Sequence, residues 1–352
     1  MYRRCNIGAL GLAMTGLLMA GCTNPGASTT SSGSSTTTAA SPAASESPAA
    51  TKATLKLTEP EIPAVAVPSA PAKRAYKIGV SLLTRDDEFY KTLEQGLKEA
   101  AEKQKVEITI LSGDKDLNKQ INQVQTFIAQ KQDAIVLCPV DSQGIIAAVT
   151  AANKANIPVF TADIASKGGK VTSYIASDNV QGGRILGEYA AKEVLKEKGE
   201  VAILNQSTVS SVQDRVKGFK EALSKYPNIK VVAEQDVDGG KRENAVPKAI
   251  NIMTAQPKVN LIFGINDPTA LGALSALQQL KKTDVAVVGF DAVPEAQSYI
   301  SSNSQLKADA IQYPRLIGAS TVSAVVKSLN GEAVPPVVQI PTGLVNAQSF
   351  TK

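Results

Sequence analysis

Two segments, IPVFTADI and VAVVGFDA, each run a β-branched apolar stretch straight into a carboxylate, Asp163 in the first and Asp291 in the second, 128 residues apart. One such Asp reads as well as a turn or helix cap as a ligand group. Two in equivalent places are different, because open α/β sheets bind ligands outside the carboxyl ends of their strands. Facing carboxylates could grip the hydroxyl groups of a small molecule, or flank a sugar and hydrolyse a glycosidic bond. Other chemistries are excluded by composition. The chain has no His, which removes Ser-His-Asp, Cys-His and His-metal sites in their usual forms. No glycine-rich phosphate loop follows a strand and no calcium-loop pattern stands out, so no nucleotide, cofactor or metal is expected.

The elements that must position these carboxylates alternate along the chain. Strand candidates are YKIGVSLL, VEITIL, DAIVLCP, IPVFTAD, TSYIAS, EVAILN, IKVVAEQ, NLIFGIN, DVAVVGFD and LKADAIQ. Between them, Tyr90, Leu93, Leu97 and Ala101, or Ile121, Val124, Phe127 and Ile128, fall on one helical face. That order predicts βαβ units and parallel sheets covered on both faces. There is also an internal repeat: GLKEAAEKQKVEITI from Gly96 matches GFKEALSKYPNIKVV from Gly218, and DAIVLCPVDS through Asp141 matches NLIFGINDPT through Asp267. The strand-end pair Asp163 and Asp291 is the third match in register, which predicts two domains of one design facing a common cleft.

The N-terminus predicts that this unit is exported from the cytoplasm. Arg3 and Arg4 precede a short apolar run and then small residues, the layout of a secretory signal over residues 1–21. The stretch Leu18-Met19-Ala20-Gly21-Cys22 resembles a bacterial lipobox, so Cys22 is expected to be lipidated and to anchor the protein to the membrane. Losing Arg3 and Arg4 lowers the formal charge from +5 to +3, which favours no nucleic-acid partner. With Cys5 removed and Cys22 lipidated, Cys138 stands alone and no intrachain disulfide is expected. Residues 22–74, rich in Ser, Thr, Ala and Pro, are expected to form a disordered tether.

The stretches FYKTLEQGLKEAA, ANIPVFTAD, YIASDNVQGGRILGEY, DRVKGFKEAL, FGINDPTALGALSAL, VAVVGFDAVPEA and AIQYP together resemble the bacterial sugar-binding proteins of ABC importers, of the ribose-binding type. The resemblance implies an α/β fold of two similar Rossmann-like lobes, parallel sheets flanked by helices, joined by three crossover strands. The lobes would be 75–177 plus 313–340 and 178–312 plus 341–352. It also implies a monomer that captures a monosaccharide or polyol between its lobes and presents the closed form to a membrane permease, with no catalytic step. Asp163 and Asp291 hold the strand-end positions, Asn266 matches an amide ligand, Gln312 a ligand at a crossover, Arg215 a cleft arginine, and Phe89 and Tyr90 an aromatic pair. Planar Asp, Asn, Gln and Arg groups suit vicinal hydroxyls, and aromatic rings suit the apolar faces of a sugar.

Departures from that pattern narrow the ligand. Ile164 replaces an arginine directly after the first strand-end Asp and Cys138 replaces an asparagine, which together disfavour ribose; Asp87 stands in the first loop for another asparagine. Arg85, on a longer first loop, is the candidate to supply the guanidinium missing beside Asp163; pairing with Asp86 in solvent is the alternative. A sensor presenting bound sugar to a chemoreceptor or kinase is the competing function on the same fold. A carboxylate-based glycosidase is a remote alternative.

Overall fold

The structure is a computed structural model and describes residues 54–55 and 66–351. The signal segment and Cys22 lie outside the described residues.

A two-residue strand, β1 (Thr54–Leu55), opens the described part. The alternation read from the sequence then appears in order as β2 (Lys77–Leu82), α1 (Glu88–Gln104), β3 (Glu107–Ser112), α2 (Leu117–Ala129), β4 (Ala134–Leu137), α3 (Ile146–Lys154), β5 (Val159–Ala162) and β6 (Ser173–Ser177). A second set follows: α4 (Asn179–Tyr189), β7 (Gly199–Asn205), α5 (Ser210–Leu223), β8 (Ile229–Asp236), α6 (Arg242–Ala255), β9 (Val259–Gly264), α7 (Asp267–Gln279), β10 (Ala286–Asp291), α8 (Pro294–Ser301) and β11 (Leu306–Ile311). The chain ends with α9 (Pro314–Leu329), β12 (Val337–Ile340), β13 (Gly343–Asn346) and β14 (Phe350–Thr351), which pairs with β1. Strands β12 and β13, each four residues long and bounded by Pro or Gly, are not among the strands read from the sequence.

Two six-stranded sheets result, in the orders β12-β6-β5-β4-β2-β3 and β13-β11-β10-β9-β7-β8. Every pairing in the first is parallel; in the second only β13 runs antiparallel, against β11. Strands β4 and β5 are buried along their whole length, as sheets covered by helices on both faces require. The chain passes between the sheets three times: after β6, after β11 at Gln312, and between β12 and β13. Each lobe therefore contains strands from distant parts of the chain.

The repeated glycines mark where helices meet. A methyl group at Gly96 of α1 would strike the Arg315 carbonyl of α9, and one at Gly218 of α5 would strike the Val180 carbonyl of α4. Gly318 and Gly183 do the same from the opposite helices, against the Leu93 and Arg215 carbonyls. The shared GxKEA pattern is thus a packing signature: in each lobe two helices touch backbone to backbone through paired glycines.

The tether expected as far as residue 74 stops short of it. Val67 is buried against the core, and the Pro71 carbonyl and Lys73 backbone N–H both bond the side chain of Asn330. Its apolar and backbone groups find partners at the end of α9, which composition alone does not reveal. Among the described residues no helix is long and apolar enough to cross a membrane.

Because the carbonyl opposite Gly218 cannot yield as a flexible side chain would, Gly218→Ala should destabilise the protein by about 1–3 kcal/mol. The shift of the urea midpoint at unchanged slope measures it.

Candidate functional site

Strand-end residues of both sheets converge on a cavity of about 360 Å³. Asp163 follows β5 and is 3% exposed; its φ of 66° lies in the left-handed region, where Asp is tolerated better than most residues. Asp291 ends β10 with a φ of 116°, outside the ordinary wells for a non-glycine residue. Backbone strain of this kind persists where surrounding contacts impose it.

Those contacts are specific. The Tyr90 hydroxyl donates to Asp163 Oδ2 at 2.6 Å, and the Tyr174 hydroxyl donates to the Asp163 carbonyl at 3.0 Å. Asp163 Oδ1 has no partner among the described residues. Burial raises the Asp163 carboxyl above the usual carboxylate range, against the pull of Arg215 and the Tyr90 hydrogen bond. On the other lobe, Gln312 Nε2 donates to Asp291 Oδ1 at 2.6 Å, while Gln312 Oε1 is buried without a partner. Burial pushes Asp291 up to about 7, with Arg215 and Gln312 opposing it.

Arg215 is fixed on four sides. Its Nε donates to Asn179 Oδ1 at 2.9 Å and its Nη1 to the Ile265 carbonyl at 2.8 Å; the same Nη1 lies 3.5 Å from Asp291 Oδ1, and the guanidinium sits 4.1 Å over the Phe290 ring. It is buried in the cleft, 5% exposed. Phe89 and Tyr90, at the start of α1, meet edge to face with ring centroids 5.2 Å apart, and both line the cavity. Asp87 lines it too, 3.2 Å from Lys115 Nζ.

Three placements differ from expectation. Arg85 does not enter the cleft: its Nε and Nη2 bond the Glu94 carboxylate at 2.7 and 3.0 Å, and Nη2 also donates to the Ile110 carbonyl. Neither Asp86 nor Asp163 is its partner, and the place beside Asp163 is held by Ile164. Cys138 is fully buried and lies behind the cavity wall; burial and the nearby Asp163 raise its thiol well above the ordinary value. Asn266 lines the cavity, but its amide is already engaged. Its Oδ1 caps α7 by accepting the Thr269 N–H at 2.9 Å, and its Nδ2 donates to the Gly240 carbonyl.

The cap of α7 is therefore Asn266, and Asp267 has another role. Fully buried, Asp267 accepts the Val293 N–H at 2.6 Å and lies beside Asp309, the two carboxyls filling the space over Gly289. Burial, and then the charge of Asp309, raises Asp267 well above its usual value; burial raises Asp309 to about 8. Burial and mutual repulsion both disfavour two negative charges here, so protonation of the pair is favoured. Sequence reading also missed Lys115, Gln206 and Ser211, which line the cavity from turns or helix starts whose composition is that of any loop. Only their place just after a strand could have drawn attention to them.

Two α/β lobes of one design, with strand carboxyl ends around a ligand-sized cleft, define a two-lobed binding protein. The chain belongs to the periplasmic binding protein domain family, which it matches over residues 78–333. It is 34% identical over 282 residues to the ribose import binding protein of Escherichia coli (strain K12), covering 80% of this chain and 94% of that protein. An ABC transporter solute-binding protein from Mycobacterium smegmatis, solved with bound glycerol, superposes with a TM-score of 0.74 at 32% identity, over 78% of this chain and 95% of that one. One from Bacillus halodurans C-125, solved with bound myo-inositol, gives 0.72 at 28% identity over the same shares.

The Asp267–Asp309 pair has a consequence for stability. A carboxyl raised on folding stabilises fully below its unfolded value near pH 4, and that contribution is lost as pH rises through the folded value, here about 8 for Asp309. Unfolding free energy should therefore decline between pH 4 and 8. Asp309→Asn, which keeps a donor and removes the charge, should flatten that decline and stabilise the protein at pH 8 by about 1–3 kcal/mol. Denaturant titrations across that pH range read it directly.

Proposed function

We propose that this chain is the extracytoplasmic solute-binding protein of an ABC importer, capturing a monosaccharide or sugar-like polyol in the cleft and delivering it to a membrane permease. The observation that carries this reading is the pair of buried acceptors, Asp163 Oδ1 and Gln312 Oε1, left without partners around a cavity of about 360 Å³. Hydroxyl groups of a ligand are the donors they lack. Phe89, Tyr90 and Ile164 give the apolar surface that the C–H faces of a sugar would cover. Asp87, Asp163, Arg215, Asp291 and Gln312 are the polar ligand groups in this reading, with Asn266 serving mainly to hold Gly240. Relatives that import ribose, or were solved with glycerol or myo-inositol, support the polyol class.

The protein acts as a monomer without a catalytic step, the closed form being selected by ligand and recognised by the permease. The lipobox-like segment supports anchoring through Cys22, and family membership supports a location outside the cytoplasm. Ribose is disfavoured because Ile164 offers no donor where a hydroxyl would need one.

Thermal-shift and calorimetric titration of the protein with D-ribose, D-allose, D-tagatose and myo-inositol tests the reading. A ligand of the native state must raise the melting temperature. Asp163→Ala should weaken the best-bound compound by about 100-fold or more, the loss of a buried charged acceptor, whereas Arg85→Ala should change affinity by less than about twofold. No response to any of the four compounds, or equal effects of the two substitutions, would refute it.

A further inference from the structure

Helix α5 begins at the cleft without a cap. Its N-cap residue is Val209, whose side chain can accept no hydrogen bond. The Ser210 N–H donates to Ser142 Oγ at 3.0 Å, and the Gln213 N–H donates to the Val209 carbonyl at 3.1 Å. Between them, the N–H groups of Ser211 and Val212 make no hydrogen bond among the described residues. The carbonyls one turn back serve other donors: that of Ser207 accepts from Gln213 Nε2 at 2.7 Å, and that of Thr208 from the Ser142 N–H at 3.1 Å. Ser211 itself is 2% exposed and lines the cavity, and its hydroxyl likewise has no partner among the described residues.

We propose that the start of α5, through the Ser211 hydroxyl and the Ser211 and Val212 N–H groups, is a third ligand-reading element that takes an uncharged acceptor oxygen, the ring or anomeric oxygen of a sugar. This rests on the function proposed above. The donors stand at the positive end of a 14-residue helix, so an oxygen lone pair is favoured there. An anionic oxygen is disfavoured, because carboxyl side chains around the cavity outnumber cationic ones two to one. The ligand is then oriented by polarity: its hydroxyl donors face Asp163 and Gln312, and its acceptor oxygen faces α5.

Calorimetric titration of full-length wild type, Ser211→Ala and Ser211→Asp with D-allose, D-ribose and D-tagatose, all of which carry a ring and an anomeric oxygen, tests the assignment. Ser211→Ala, which removes one donor, should weaken the best-bound probe by about threefold to tenfold. Ser211→Asp, whose carboxylate would turn back onto its own helix N–H groups, should abolish measurable binding without lowering the melting temperature of the ligand-free protein. Unchanged affinity in Ser211→Ala overturns the proposal even if Ser211→Asp fails to fold, and so does binding by Ser211→Asp within about twofold of wild type. A wild type that binds none of the probes removes the sugar reading itself and this proposal with it, an outcome distinct from a wild type that binds and variants that do not differ.

Discussion

Arg215 is the cation on which the buried carboxyl groups of the cleft depend, because a carboxylate taken out of water costs several kcal/mol unless donors replace its solvent. Asp163 and Asp291 are both pulled toward ionisation by this guanidinium, and Asp291 touches it. Asp267 and Asp309 lie beyond such help, so burial raises both carboxyls and favours their protonated forms. The position of Arg215 is fixed by groups from several elements: Asn179 at the start of α4, the Ile265 carbonyl after β9, and Phe290 near the end of β10. Displacing any of these would move the charge that makes the strand-end carboxylates useful.

The glycine contacts explain why α5 can place that arginine at all. Gly218, one turn after Arg215, lets α5 lie against the α4 backbone, which brings Asn179 within reach of the guanidinium. The other lobe uses the same device at Gly96 and Gly318 to lay α1 against α9, and α1 carries Phe89 and Tyr90. In both lobes a close helix pair thus sets the angle at which one helix delivers its side chains to the carboxyl edge of its sheet. Equivalent scaffolds then carry different chemistry: an aromatic hydroxyl supports Asp163, whereas an amide and a guanidinium support Asp291.

Most of the fold was legible because it rests on periodicity and repetition. Ten apolar stretches became strands, and Asp163 and Asp291 stand at strand ends as their register required. What was not legible depended on where side chains turn. Nothing in SLLTRDDEFY distinguishes an Arg that reaches inward from one that folds back to Glu94, nine residues along the chain. Asn266 caps α7 as well as lining the cavity, a double use that its residue type does not announce, and burial of Asp267 beside Asp309, a residue 42 positions away, has no local signal either. Lys115 and Ser211 carried no signal, since a turn lysine and a helix-start serine are commonplace.

The absence of Arg85 from the cleft changes how Asp163 must work. With Ile164 beside it, the only side-chain donor among the described residues that reaches Asp163 is the neutral Tyr90 hydroxyl, at one oxygen. A guanidinium there would satisfy the carboxylate before any ligand arrived, and a ligand would then compete with it. Left half-satisfied, Asp163 is costly to ionise in the empty cleft and cheaper to ionise once a hydroxyl donates to its second oxygen. The ligand therefore completes the solvation that the protein withholds, and the strand-end strain at φ 66° holds the carboxyl where that completion can occur.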